Sequence, residues 1–452
     1  MKKETEKRKT SNPPLNTWPL LKEVNNNYNY EIIKAMEGGK PVIFASAMCP
    51  QQLGGAFDAV WVTGEWYGSI CGFVQDVSLC DRAERSGFPH EMCSYARMVL
   101  GSMYEGRGFL GKYPRPVAVL GTEGLCNVQA KWFEAQARYH NVPFFVIDAA
   151  PATSSQLIAN KLPKRWTEET FEDSVEFYAR QLGNSLEFLE WATGQKANEE
   201  KLIDAVITMQ RNEELWDELL KLWRAKPSPI AGRSLFTFEN LIIALPTSHE
   251  STRVLETINE ELRVRIEKGI QGIGNEEIRL LWQAQPGWYI LKIIDYFESH
   301  GANFVASPYL EIWGAKFKHG FSEGVAPKWF TEFKKPRNFD ECFQEISKSI
   351  IAQMCRPRVD ADIKVIKELA VEAQLDGAVF HAVRGCKGCS YGELAQRETL
   401  RNDLNLPGFL LEGSPADARD FSEGPALRQI MIFVEQVKRM KKRREVKHSG
   451  ME

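Results

Sequence analysis

A chain of 452 residues that is 43% hydrophobic and 26% charged has enough apolar material for a large core and enough charge for a polar surface. Its formal net charge of −3 leaves no basic excess for gripping a phosphate backbone, which excludes nucleic acid as the main partner. The charged start, Met1 to Thr10, is not followed by a signal-like apolar stretch, and no run approaches the roughly 20 apolar residues of a membrane span, so a cytoplasmic chain without a membrane partner is expected.

Residues 1–40 read as a polar arm and an entry helix. Short apolar runs follow at Pro41–Ser46, Pro116–Leu120 and Pro143–Ile147, with helical spacing over Cys126–His140 between the last two. Strands alternating with helices of this length predict an α/β domain with a parallel sheet over 41–160. Over 161–270 the period becomes helical, through Phe171, Val175, Tyr178, Leu182 and Leu186 and again from Leu202 to Trp223, which predicts a helical segment. Strands at Ile278–Trp282, Phe304–Ser307, Gly377–His381 and Gly408–Glu412 then alternate with helices, giving a second α/β domain over 271–440. The fold class predicted is two doubly wound parallel-sheet domains joined by helices. The basic run from Lys438 to Arg444 leads into a tail at 441–452 and reads as a solvated helix end or, more sharply, a docking patch.

Nine cysteines, an odd number in a chain expected inside the cell, do not suggest a disulfide framework. Cys126 follows the strand at 116–120, Cys386 follows the strand at 377–381, and Cys93 opens a helix over Cys93–Met103. Ligands in open α/β sheets bind beyond the strands' carboxyl ends, and a helix N-terminus favours thiolate, so these three are candidate metal ligands in a site between the domains. Their separations, 33 and 260 residues, match no ferredoxin or zinc-finger pattern. Cys386-Lys-Gly-Cys389 is a CxxC open to redox, zinc or cluster readings. Cys80 reads as the solvent-facing turn of a helix and, with Cys389, is an alternate ligand; Cys49, Cys71, Cys342 and Cys355 read as core. Gly106-Arg-Gly-Phe-Leu-Gly111-Lys112-Tyr113 nearly spells a phosphate-binding loop. Tyr113 stands where a magnesium-binding hydroxyl belongs and prolines follow it, so it reads as an ordinary loop and no ATP site is expected.

Three motifs carry a resemblance. They are the run from Cys80 through Phe-Pro-His-Glu-Met-Cys93 to Arg97, the run Leu125-Cys126-Asn to Glu134 with Asn141-Val-Pro143 to Asp148, and His381-Ala-Val-Arg384-Gly-Cys386 with Leu411-Glu412 and Asp417-Ala-Arg419. In this order they resemble the family of 2-hydroxyacyl-CoA dehydratases and ATP-dependent benzoyl-CoA reductases, over about residues 40 to 440. The resemblance implies two Rossmann- or flavodoxin-like domains and a [4Fe–4S] cluster held by Cys93, Cys126 and Cys386, with a fourth iron position open to water or substrate. It also implies a homologous second cluster-binding subunit, a separate ATPase with its own cluster, and an acyl-CoA substrate. An electron placed on the thioester carbonyl gives a ketyl radical anion that expels a hydroxyl or permits ring reduction; either route needs a dry pocket and a proton-exchanging group.

Thr122, Glu123, Ser46, Glu65, Tyr67 and His381 lie near predicted strand ends. Glu65 is the foremost catalytic candidate, with Ser46 and Glu123 beside it. The turn Ala45 to Gln52 departs from the family by offering amides where a carboxylate is expected. The chain's length and its Thr17-Trp18-Pro19-Leu20 arm lean toward a reductase of the benzoyl-CoA type, with a dehydratase subunit as the alternative and an electron-relay or scaffold subunit as the reading from another class.

Overall fold

A computed structural model describes residues 13–123, 126, 128–148, 168–315, 328–354, 359–390 and 392–449. Two parallel sheets of four strands organise them. The first contains β1 (Val42–Ala45), β2 (Val60–Thr63), β3 (Ala118–Thr122) and β4 (Phe144–Ile147) in the order β2-β1-β3-β4. The second contains β5 (Ile278–Gln283), β6 (Ala302–Ala306), β7 (Gly377–Val383) and β8 (Gly408–Gly413) in the equivalent order β6-β5-β7-β8. Both sheets thus carry the 2-1-3-4 arrangement of a flavodoxin-like domain, and every adjacent pair is parallel. β1, β3, β5 and β6 are buried at every position, as expected of strands covered on both faces.

The entry helix is present at Trp18–Met36. The helical segment contains Glu168–Thr193, Glu199–Trp223 and His249–Glu267, and Asn198 caps the second by accepting from the Lys201 amide at 2.9 Å. This segment is tied to the second sheet where the buried Trp216 donates through Nε1 to the Leu310 carbonyl at 2.9 Å, just beyond β6. The basic run lies within the long helix Glu423–Ser449. Lys438 pairs with Glu277, and Lys441 and Arg444 with Asp376, so these cations clamp the helix to the ends of the second sheet. Cys355 lies outside the described residues.

Two sequence expectations meet their physical reasons here. Gly106–Tyr113 is a loop: Gly106 ends the helix Ser94–Glu105 in the left-handed conformation, and Tyr113 is core, stacked on Phe44 and accepting from Gln136 Nε2 at 2.5 Å. Cys80, expected to face solvent, is instead fully buried. Its helix, Val77–Arg85, packs directly on Ser94–Glu105, where Gly101 lets the Leu79 carbonyl approach closer than any Cβ would allow. Burial pushes the Cys80 thiol's pKa up and leaves it a small core residue.

Candidate functional site

The carboxyl ends of both sheets open on one cavity of about 750 Å³. From the first sheet come Ala47 and Met48 after β1, Glu65 after β2 and Cys126 after β3; from the second come Gln283 and Gln285 at β5, Tyr309 after β6 and Cys386 after β7. Each sheet therefore presents the ends of its central strands, where such sheets bind ligands. A third wall comes from the helical segment, through Phe236, Glu239, Asn240 and Ile243. The lining is mainly apolar and aromatic, with few polar groups converging, as in small-molecule sites.

Glu65 stands in the first turn of the helix Gly64–Phe73 and is held by three donors. Ser46 Oγ donates to Oε1 at 2.9 Å, the Ala47 amide to Oε2 at 2.7 Å, and Gln129 Nε2 to Oε1 at 2.5 Å. Burial raises its pKa above the usual carboxylate value, while the three donors oppose that rise by favouring the ionised form. Ser46 and Glu65 are thus brought together. Glu123, by contrast, is exposed past the end of β3 and does not line the cavity. Tyr67 is buried in a hydrogen bond with Ser102 at 2.8 Å, and Thr122 is buried at the end of β3. His381 donates from Nδ1 to the Gln285 carbonyl at 2.6 Å, and burial draws its pKa down to about 4, so it buttresses the cavity wall as a neutral ring. Ala284, between the two wall glutamines, adopts φ +72°, a strained left-handed conformation for a residue with a side chain.

Cys93, Cys126 and Cys386 all face this cavity. Cys93 caps the helix Ser94–Glu105, and Cys386 lies in the turn after β7. The two turns touch: a Cβ at Gly385, where φ is +74°, would sit 3.1 Å from the backbone N and Cα of Cys93. Burial pushes the Cys93 thiol up, the like charges of Cys386 and Cys126 push it further, and the Tyr95 and Ala96 amides offset only part. Burial also raises Cys126, with Cys386 adding to it. Cys386 alone is drawn down, to about 7, first by the Cys389 thiol and then by the Gly388 and Cys389 amides and the Gln285 side chain. The expectation that a helix N-terminus would make Cys93 a ready thiolate is therefore corrected: desolvation and mutual repulsion outweigh the dipole. Such repulsion is also what a cation held among the three thiols would relieve. Cys389 also lines the cavity, and its thiol lies 2.8 Å from Gln285 Oε1, so that oxygen and Cys386 compete for its single hydrogen.

The Cys93 helix is anchored to the second sheet by charge. Arg97 is 1% exposed and pairs with Asp417 at 2.6 Å and Glu84 at 2.7 Å, and its Nε donates to the Met92 carbonyl at 3.1 Å. Burial opposes the Asp417 charge, but Arg419 and Arg97 outweigh it and hold the pKa at about 2. Glu84, His90 and Asp417 are the one group among the described residues whose ligand atoms gather within 4.8 Å, as a single ion requires. Arg97 and Arg419 already occupy those carboxylates, so this is an ion-pair network. The three cavity thiols do not gather so tightly. Their soft donor set and wider spacing fit a cluster better than one ion.

Sequence reasoning missed Glu239, which lines the same cavity at 1% exposure. It sits between the helices Gly232–Phe238 and Asn240–Ile243, and burial pushes its pKa up to about 8, offset in part by the Tyr309 hydroxyl. The signal available was an acid inside the apolar run Leu235 to Ile243.

Fold and site together define a class: a two-sheet α/β protein with four thiols, Cys93, Cys126, Cys386 and Cys389, and the glutamates Glu65 and Glu239 lining the cavity between the sheets' strand ends. Within that class the chain belongs to the family of the 2-hydroxyglutaryl-CoA dehydratase D-component, whose model matches residues 46–437. It is 25% identical to the (R)-2-hydroxyisocaproyl-CoA dehydratase alpha subunit of Clostridioides difficile, over 90% of this chain and 93% of that one. It is 24% identical to the (R)-phenyllactyl-CoA dehydratase alpha subunit of Clostridium sporogenes, over 89% and 91%, and 20% identical to lactoyl-CoA dehydratase subunit alpha of Anaerotignum propionicum, over 92% and 95%. These relatives are matched nearly end to end, so length does not set this chain apart from dehydratase subunits, and the lean toward a benzoyl-CoA-type reductase loses its basis. No helix among the described residues is long and apolar enough to cross a membrane.

Proposed function

We propose that this chain is the cluster-bearing subunit of a 2-hydroxyacyl-CoA dehydratase, converting a 2-hydroxyacyl thioester to the 2-enoyl thioester and water. The observation that carries the reading is the convergence of Cys93, Cys126, Cys386 and Glu65 on one cavity of about 750 Å³. A cavity of that volume at the thiols favours a substrate-binding subunit over an electron relay or scaffold. A [4Fe–4S] cluster held by Cys93, Cys126 and Cys386 supplies a Lewis-acidic iron and a low-potential electron when bound. Glu65, fixed by Ser46, Ala47 and Gln129, takes the proton from C3. Trp66, Trp132 and Trp288 line the cavity and exclude water around the acyl group.

The alpha-subunit names of the relatives support a homologous second cluster-binding subunit as partner, and the same reading includes a separate ATPase that delivers the electron. It retains the division of the chain near residues 160 and 270 into two α/β units and a helical connection. The test is anaerobic purification with its partner subunit and ATPase, iron analysis, and assay against (R)-2-hydroxyacyl and aromatic acyl-CoA thioesters. About four irons per chain at this site and water loss are expected. Ring reduction without water loss overturns the dehydratase reading.

A further inference from the structure

The dehydration assigned above involves two proton movements, and the cavity is lined by two glutamates in opposite settings. Glu65 is surrounded by donors, which suits a carboxylate that accepts a proton. Glu239 is more deeply buried, at 1% exposure against a half-buried Glu65, yet among the described residues neither of its oxygens forms a hydrogen bond of normal geometry. Its nearby titratable groups are Tyr309 and Tyr95, which themselves remain protonated because burial raises both. Arg233, on the preceding helix and in the same cavity, is committed to Asp295 at 2.9 Å and does not neutralise Glu239. With no cation beside it among the described residues, Glu239 is stable there as the neutral acid, consistent with its pKa of about 8. The two acids also flank the thiols differently. Glu65 acts on Cys126, whereas Glu239 acts on Tyr95 and Tyr309, which feel Cys93, Cys386 and Cys389. Glu65 comes from the first sheet's strand ends and Glu239 from the helical third wall, so a substrate at the thiols meets a proton acceptor and a proton donor on different walls, a pairing that marks acid and base assignments.

We propose that Glu239 is the acid partner of Glu65, giving its proton to the departing 2-hydroxyl so that it leaves as water, with Tyr309 positioning the carboxyl group. This rests on the dehydratase reading. The C2–O bond breaks and the hydroxyl takes the Glu239 proton; the C3–H bond breaks and its proton goes to Glu65; a C2–C3 double bond forms. Glu239 ends as carboxylate and Glu65 as carboxylic acid, with no net oxidation or reduction. A proton passed back through water between turnovers restores both.

The experiment compares wild type with Glu239→Gln and Tyr309→Phe in the assembled complex. Glu239→Gln is expected to lower kcat for a 2-hydroxyacyl thioester by roughly 10²–10⁴-fold with KM little changed. It should be rescued toward the wild-type rate by a 2-chloroacyl thioester, whose leaving group needs no proton. Tyr309→Phe should show a smaller loss and the same rescue. Independently of turnover, the infrared carbonyl band of protonated carboxylic acids in the isolated wild-type chain should contain a component that fades as pH rises past about 8 and is missing in Glu239→Gln, while Glu393, raised by burial to about 7, gives a component that fades earlier in both. A variant that dehydrates at the wild-type rate, a loss of rate that the chloride substrate does not rescue, or a component fading past pH 8 that is undiminished in Glu239→Gln overturns the role of Glu239 while leaving the dehydratase reading in place. A wild-type complex that removes neither water nor chloride overturns both.

Discussion

The contact between the Cys93 and Cys386 turns makes Gly385→Ala a sharp perturbation. Gly385 has φ +74°, and an added Cβ would meet the Cys93 N and Cα and the Glu91 carbonyl oxygen, each at 3.1 Å. The left-handed conformation alone costs a residue with a Cβ roughly 1–2 kcal/mol. The contact adds an overpacking cost of about 1–3 kcal/mol, because the atoms met are backbone at a helix cap and cannot rotate away. Gly106 provides the matched control. Its φ is +67°, but nothing lies within 4 Å of its Cβ position, so Gly106→Ala carries the conformational cost without the contact. At roughly 2–4 °C per kcal/mol for a domain of 150–250 residues, both variants should lower Tm by a few degrees, Gly385→Ala by more. Only Gly385→Ala moves Cys93 relative to Cys386, so only it should lose iron after anaerobic reconstitution. Calorimetry and iron analysis on the two variants decide the matter. If Gly385→Ala matches Gly106→Ala in both Tm and iron, the idea that these turns jointly set the thiol geometry is wrong.

Serine in place of Cys93, Cys126 or Cys386 should each remove most of the iron, whereas Cys80→Ser and Cys389→Ser should keep it; loss on Cys389→Ser with retention on Cys126→Ser reverses the ligand assignment. Asp417→Asn leaves the buried Arg97 with a weakened partner and should cost about 3–5 kcal/mol in urea unfolding at neutral pH. Because the Asp417 pKa falls from 3.8 to about 2 on folding, its contribution is present above pH 4 and is lost as pH drops through 2, so the variant should flatten that acid limb. Glu239 has the opposite sign. Its pKa rises from 4.5 to about 8 on folding, so the native state holds an extra proton between those values and stability declines as pH rises through them. Unfolding curves at pH 5 and pH 8 should show Glu239 contributing a decline of up to about 1.4 kcal/mol per pH unit across that interval, which Glu239→Gln removes while the decline from Glu393, raised to about 7, remains.

What the sequence made legible follows from the range of each physical signal. Buried parallel strands read as continuous apolar runs, so seven of the eight strands could be anticipated locally, all but β2, and strand ends then point to Ser46, Cys126 and Cys386. The same local reading failed at Cys80. The charges in Cys80-Asp81-Arg82 suggested solvent, but Gly101, twenty-one residues later, admits the whole Val77–Arg85 helix against its neighbour and turns Cys80 inward. It failed at Glu123 for the converse reason: being past a strand end does not decide which side of the strand a side chain leaves from. Glu239 was out of reach in a further sense. It lies far from either sheet's strand ends in sequence, on a segment whose period announces only helix packing, and it enters the cavity because residues 233–243 form the third wall. Its environment is set by side chains from two other elements, Tyr95 beside Cys93 and Tyr309 beyond β6. An acid kept neutral by what fails to surround it leaves no pattern in the chain, and only the assembled cavity reveals that, among the described residues, no cation is placed to pair with it.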